Sequence, residues 1–216
     1  MKKISYIESL IAEGEHQQQD FKFGITDSRK IARSLAAFAN TDGGRLLIGV
    51  KDNGVIAGVR SEEEFYMIES AAHLFSKPEI RFESKAWNES GKTVLEIWVP
   101  PSPQRPHFVR NEDGTWEAFV RSRDENIHAD EVIIAVWQKK KQKKGTLIRY
   151  SQTEAKLFTL LASQQQITMK EFRKAARIST RHAVDTLSSL IVLRLIEQIV
   201  ASPESYFRIN PAGDRE

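Results

Sequence analysis

The stretch Ala36-Ala37-Phe38-Ala39-Asn40-Thr41-Asp42-Gly43-Gly44-Arg45-Leu46-Leu47-Ile48-Gly49-Val50-Lys51-Asp52-Asn53-Gly54 decides how the first half of this chain folds. Just before it and through its start, Ile31, Leu35 and Phe38 recur at helical spacing, lined by Ala32, Ala36 and Ala39. Asp27 or Ser28 can cap the helix they predict. Gly43-Gly44 ends it, because glycine accepts the left-handed backbone of a helix terminus at little cost. Leu46 to Val50 is a short continuous apolar run, suited to a strand buried on both faces. Asp52-Asn53-Gly54 signals a two-residue hairpin turn, since Asn-Gly tolerates positive φ at both turn positions. Val55-Ile56-Ala57-Gly58-Val59 is then expected to return as the partner strand.

Working outward, Ile4, Ile7, Leu10 and Ile11 form an apolar stripe at helical spacing, and Asp20-Phe21-Lys22-Phe23 reads as a short strand. Ser61-Glu62-Glu63-Glu64 opens a helix with acids where the helix dipole favours them. Strands are expected at Ile80-Arg81-Phe82, Thr93 to Val99 and Trp116 to Arg121, with a turn at Asn88-Glu89-Ser90-Gly91. A helix from Asp130 to Gln138 is expected to close this domain. The expectation is an α+β fold, with a mixed-sheet domain over residues 1–138.

Lys139-Lys140-Lys141-Gln142-Lys143-Lys144-Gly145 then begins a linker over residues 139–150. It reads as a solvated tether, as a basic arm lying along phosphates, or as both. Residues 151–216 read as a winged helix. Ser151-x-x-Glu154 and Thr168-x-x-Glu171 are capping boxes ahead of apolar runs. Ser179 caps a third helix whose buried side is Val184, Leu187 and Leu190-Ile191, leaving Arg181, His182, Asp185, Ser188 and Ser189 on its polar side. Strands at Leu195 to Val200 and Tyr206 to Ile209 would form the wing, with Glu204 near its tip and Arg194 and Arg208 nearer its base. A three-helix interaction module fits the same pattern.

The net charge of +3 conceals a division. Residues 139–216 carry 15 Lys and Arg against 7 Asp and Glu, while residues 1–138 carry 17 against 22. Attraction for a polyanion therefore concentrates in the C-terminal third. There is no cysteine, so neither a disulfide nor a thiolate metal site can form. The five histidines (16, 73, 107, 128 and 182) show no ligand spacing, and the HExxH pattern is absent. No window approaches the ~20 apolar residues of a membrane helix, and Glu8, Glu13 and Glu15 break the apolar core a signal peptide needs. The expectation is a cytoplasmic protein that does not engage a membrane.

Phe38-Ala39-Asn40-Thr41-Asp42-Gly43-Gly44, followed by Leu47-Ile48-Gly49-Val50-Lys51-Asp52-Asn53-Gly54 and Ile56-Ala57-Gly58-Val59, resembles the Schlafen AlbA_2 family. Upstream, Gly14-Glu15 and Asp20-Phe21-Lys22 are similar to the family's opening motif; downstream, Pro78, Pro106-His107 and Ala118-Phe119-Val120-Arg121 continue the likeness. The resemblance covers about residues 8–137. It implies a mixed α/β domain that bacterial members fuse to a C-terminal helix-turn-helix in predicted transcriptional regulators.

The family's three functional labels fare differently here. For ATP binding, Gly44 to Gly49 gives P-loop spacing, but Val50 stands where the phosphate-binding lysine is required. For metal-dependent RNA cleavage, the resemblance places Glu15, Asp20 and Asp52 at the three carboxylate positions that would hold Mg²⁺ or Mn²⁺. Asp20 is shorter than the family's glutamate, and Asp52 also has a sufficient structural task leading into the Asn-Gly turn. For DNA binding, Arg181 and His182 are the candidates for base or phosphate contact. Ser179 and Thr180 can bond phosphate, and Lys170, Arg173, Lys174 and Arg177 make the second helix basic. Lys139, Lys140, Lys141, Lys143 and Lys144 add the basic arm. Lys22, Arg45, Lys51, Arg105, Arg110, Arg121 and Arg123 could reach phosphates or be solvated. Trp87, Trp98, Trp116 and Trp137 could stack bases or pack the core. The expected partner is duplex DNA, bound by a homodimer whose seam is an exposed sheet edge within residues 1–138.

Overall fold

Ser5 and Glu8 close a capping box at the start of α1 (Tyr6–Glu13), which buries Ile7 and Leu10 as its spacing predicts. The computed structural model describes residues 4–59, 61–143 and 145–211. It divides between His128 and Ala129 into two units.

In the first unit, β1 (Gln19–Lys22) leads to α2 (Ser28–Asn40), capped by the Asp27 carboxylate on the Arg29 amide. β2 (Gly44–Ile48), α3 (Glu63–His73), β3 (Ser76–Lys77), β4 (Glu83–Glu89) and β5 (Lys92–Val99) follow. β6 (Phe108–Arg110), β7 (Trp116–Ser122) and β8 (Glu125–His128) complete it. One sheet has the order β1-β2-β5-β4, with β1 parallel to β2 and the remaining pairs antiparallel. The other is antiparallel, in the order β3-β6-β7-β8.

Helix α2 touches both sheets and α3, and every residue from Ile31 to Asn40 is buried except Arg33. Its alanines let strands approach on several sides at once, and a helix buried all round needs such a composition. Leu46, Ile48, Leu95, Ile97 and Val99 meet it from the first sheet. The opposite face of that sheet packs Phe21, Leu47 and Val94 on α1. β2 is thus buried on both faces, as its unbroken apolar run predicts.

Gly44 has no room for a side chain: a Cβ there would lie 2.3 Å from the Phe38 ring. At Gly43, φ is +73°, and a Cβ would meet the Val99 carbonyl at 2.8 Å.

Three expectations need correction. The turn at Asp52-Asn53-Gly54 forms, with the Gly54 amide on the Lys51 carbonyl. Among the described residues, however, the returning segment forms no strand, only the bridge Val50↔Ile56 beside a bond from the Lys51 amide to the Val55 carbonyl. Gly49 then accepts from the amides of Ala57 and Gly58, because two glycines bring these backbones too close for a ladder. The strand expected at Ile80 to Phe82 begins at Glu83, while Ile80 fills the core. The helix expected to close the N-terminal domain belongs to the second unit: α4 (Glu131–Lys140) buries Val132 and Val136 in that unit's core. Its lysine end, Lys139-Lys140, is helical rather than part of a linker.

The second unit continues with α5 (Gln152–Gln164), β9 (Gln166–Thr168), α6 (Met169–Ala176), α7 (Thr180–Val192), β10 (Ile196–Ile199) and β11 (Tyr206–Ile209). Both expected capping boxes are present, and Ser179 caps α7 through the His182 amide. The strands form an antiparallel sheet in the order β10-β11-β9. Leu157, Leu161, Ile167, Phe172, Ala183, Leu187, Leu190, Ile196 and Phe207 join the α4 valines in one core.

Gly44→Ala should destabilise the chain by about 1–3 kcal/mol, the usual cost of overpacking a filled core. Urea unfolding checks this, through a lower midpoint at unchanged slope.

Candidate nucleic-acid interface

Burying Phe172 turns Lys170 and Lys174 of α6 fully outward and leaves Arg173 half-buried. Arg177 ends α6 in the left-handed conformation at φ 55° and is exposed. Ser179, Arg181 and His182 are exposed at the start of α7, and Thr180 is half-buried. No acid lies in the first turn of α7. The positive end of the helix dipole lies at that turn, where Ser179 Oγ takes the His182 amide and the Glu154 carboxylate interacts with the His182 ring.

The remainder of α7 differs from the expectation. Ser188 and Ser189, placed by sequence on an exposed polar side, are 0% and 5% exposed. α4 packs on them. Lys139 of α4 reaches Asp185 Oδ1 at 2.6 Å and Ser189 Oγ at 3.0 Å. Both serines donate to the Asp185 carbonyl, so burial leaves their hydroxyls bonded. Ala135, Gln138 and Gln142 face Arg181, Val184 and Asp185 across a groove of about 640 Å³. Lys139 is therefore fixed, while Lys140, Lys141 and Lys143 are exposed, and Lys144 lies outside the described residues. On the hairpin, Arg208 pairs with Glu197, while Arg194 and Glu204 are exposed.

The three carboxylates of the nuclease reading separate into a pair and an outlier. Glu15 Oε1 accepts from the Phe21 amide at 2.8 Å and lies within hydrogen-bond reach of Asp20. Asp20 is 3% exposed, with Lys22 Nζ at 2.8 Å and the Arg121 guanidinium at 3.6 Å. Asp52 is exposed in the turn after β2. Among the described residues, no three His, Cys, Asp or Glu side chains gather where they could hold a metal ion. The donor set does not fit Mg²⁺ or Mn²⁺: an ammonium and a guanidinium already supply the positive charge beside Asp20 that an ion would bring.

Sequence reading missed the buried network around this pair. Arg121, 3% exposed, donates to the carbonyls of His16 and Gln19 and to Asn126, and its guanidinium lies 5.2 Å from the Phe38 ring. Its position at the end of the apolar run Ala118-Phe119-Val120 was the available signal. Arg45 pairs with the buried Glu96 at 2.6 Å, Arg105 donates to the carbonyls of Asn40 and Thr41, and Lys51 sits 5.4 Å from the Phe23 ring. Arg45 and Arg105 thus serve the fold, while Lys51 is exposed. Of the tryptophans, Trp137 is buried and Trp116 exposed, with Trp87 and Trp98 half-buried on one sheet face.

Burial, reinforced by the Asp20 carboxylate, raises the Glu15 pKa above its ordinary 4.5. The fold thus favours protonated Glu15, a stabilisation complete below the ordinary value and lost as pH rises through the folded one. Glu15→Gln should raise the melting temperature at pH 7, and the gain should vanish below about pH 4. Melting curves across that range check this; a gain that grows in acid would contradict it.

No curated protein matches the chain. Among solved structures it is similar to the DIP2311 protein from Corynebacterium diphtheriae, at 18% identity and TM-score 0.46. That likeness covers 78% of this chain and 41% of the other, so the chain spans well under half the length of that relative. It is also similar to the N-terminal domain of a RecG-related protein from Nitrosomonas europaea, at 22% identity and TM-score 0.38, over 57% of this chain and 92% of that domain. The profile of the Schlafen AlbA_2 family matches residues 15–130, more than half the chain, and spans Glu15, the Asn40 to Gly44 turn and the Arg121 network. The chain belongs to the Schlafen AlbA_2 family.

Proposed function

We propose that this protein is a DNA-binding transcriptional regulator whose second unit is a winged helix contacting duplex DNA. The observation that carries the reading is the set of exposed cations Lys170, Lys174, Arg177 and Arg181 on α6 and at the start of α7, whose own first turn holds no acid. The order α5-β9-α6-α7-β10-β11, with its antiparallel three-stranded sheet, supports the winged-helix assignment. Membership in the AlbA_2 family agrees with work on nucleic acids.

The packing of α4 decides how α7 would meet DNA. The major groove is about 12 Å wide and admits one helix. A helix with its side chains is about 10–12 Å across, so α4 and α7 cannot enter side by side. Contact is therefore end-on, through Ser179 to His182, with α6 and the exposed lysines after α4 along the phosphates. The wing contributes little, since its Arg208 is already paired with Glu197. The first unit joins two copies, so that paired half-sites are read together.

Affinity of the full chain for duplex DNA should fall steeply with salt, the log–log slope steepening by roughly 0.9 for each phosphate neutralised. Lys174→Ala should flatten that slope by about one phosphate's worth. Arg181→Ala should cost about 1–3 kcal/mol on a preferred sequence if it meets a base edge. Fluorescence anisotropy between low and physiological salt measures all three, and a flat salt dependence overturns the reading.

A further inference from the structure

We propose that two copies of this chain join along the free edge of β4, antiparallel, with the two-fold axis at Trp87. The proposal rests on the dimeric part of the reading above and goes beyond it by placing the seam and its register.

β4 is the last strand of its sheet and pairs only with β5 among the described residues. Glu83, Ser84, Lys85, Ala86 and Asn88 are exposed. Such an edge offers unpaired amides and carbonyls to another strand. Which groups point outward follows from the turn. Glu89 pairs with Lys92 across Ser90-Gly91, whose φ angles are 53° and 80°. Two positive φ values mark the tight primed hairpin turn, in which the flanking residues exchange backbone bonds. Bonded pairs then alternate along the ladder, directing Glu89, Trp87, Lys85 and Glu83 toward β5. The backbone groups of Ser84, Ala86 and Asn88 face outward.

In a two-fold pairing those outward residues must meet one another, so the axis passes through a residue from 84 to 88. At Ser84 it sets Glu83 against Lys85 of the partner subunit, but only the first three residues of β4 then overlap. At Lys85 it sets that lysine against its own copy. At Ala86 it sets Glu83 against Glu89 of the partner subunit, twice. At Asn88 it shortens the overlap and removes Lys85 from any acid. At Trp87 it places Lys85 opposite Glu89 of the partner subunit, twice, and Ala86 exchanges backbone bonds with Asn88 of the partner subunit. Charges on an edge strand usually repel strangers; here their order selects one register and penalises its neighbours.

The residue on the axis is held in advance. The Trp87 indole donates to Glu96 Oε2 at 2.7 Å and its ring lies 4.7 Å from that of Tyr6. Lys85 Nζ sits 3.8 Å from the Trp87 ring centre, already on the face where Glu89 of the partner subunit would arrive. Opposite one another in the close, non-bonded pair of an antiparallel ladder, two such indoles come into contact. On the other face Ser84 and Ala86 are small and border a groove of about 600 Å³ with Phe65, Tyr66 and Leu95.

Sedimentation equilibrium of the full chain, without DNA, tests the seam. The wild type should sediment at twice the 24.6 kDa chain mass at tens of micromolar protein. Lys85→Glu and Glu89→Lys should each raise the dissociation constant about tenfold or more, since each turns two attractive cross-strand pairs repulsive. The double variant K85E/E89K restores opposite charges and should restore the dimer. Both side chains lie outside the cores, and circular dichroism confirms that the variants fold. A wild type that sediments as one chain overturns the proposal, as does a dimer indifferent to both single changes. Salt-dependent DNA binding by such a protein would leave the DNA reading standing, so the two fail separately.

Discussion

The amide of Asn40 is the constraint on which the first unit depends. It is 2% exposed, donates to the carbonyls of His107 and Phe119 at 2.9 Å, and accepts from the His107 amide at 2.7 Å. One side chain thereby ties the end of α2 to β7 and to the loop entering β6. Removing it would leave buried backbone groups without partners, a penalty larger than the net worth of an ordinary hydrogen bond. Thr41 extends the tie, accepting from the Arg121 amide, and Arg105 caps the carbonyls of Asn40 and Thr41. A cation there satisfies a helix C-terminus in both hydrogen bonding and dipole. The chain must then turn at once into β2, between the Phe38 ring and the Val99 carbonyl, which is why two glycines follow.

That same turn governs the acidic pair. Arg121 belongs to β7, and the Thr41 bond sets its backbone; its side chain crosses to β1 and meets the carbonyl of Gln19 and the carboxylate of Asp20. A buried carboxylate needs a compensating charge, and Lys22 and Arg121 provide two. Glu15, nearby but without so close a cation, answers burial by favouring its proton. The two acids are linked to different elements by different bonds, and together they join β1 to the second sheet. Asp52, past the end of β2, shares none of this.

How far these features could be read from sequence depended on whether the deciding interaction was local. Caps were legible because Ser151 and Glu154, or Thr168 and Glu171, satisfy one another within a single turn. So was the burial of α2 and β2, which composition alone enforces. Val55 to Val59 was misread because Asn-Gly specifies a turn but not the distance to which two strands stay paired; Gly49 and Gly58 decide that by contact across the fold. The short strands β6 and β8 pair with their sequence neighbour β7, but carry too few residues for a period of two to stand out. Arg121 reads from sequence as reaching phosphates or as solvated, because a charge in a strand usually is solvated, and only tertiary partners reverse that expectation.

The same distinction explains why the boundary between the units lies before α4 rather than after its lysines. A run of lysines looks like a tether because like charges repel and stay hydrated. A helix, however, is assigned by where its apolar residues go. Val132 and Val136 share a core with Leu157 and Leu187, and this holds the lysine end of α4 against α7. Lys139, paired at that contact, then serves to pack the helices, and the exposed charge begins one residue later. The serines of α7 permit the contact: small, and bonded to their own helix, they can be covered without leaving a donor unsatisfied. A larger polar residue at Ser188 or Ser189 would need water and would keep α4 away. The amount of α7 left exposed at the surface is thus set by two small side chains far from its basic end.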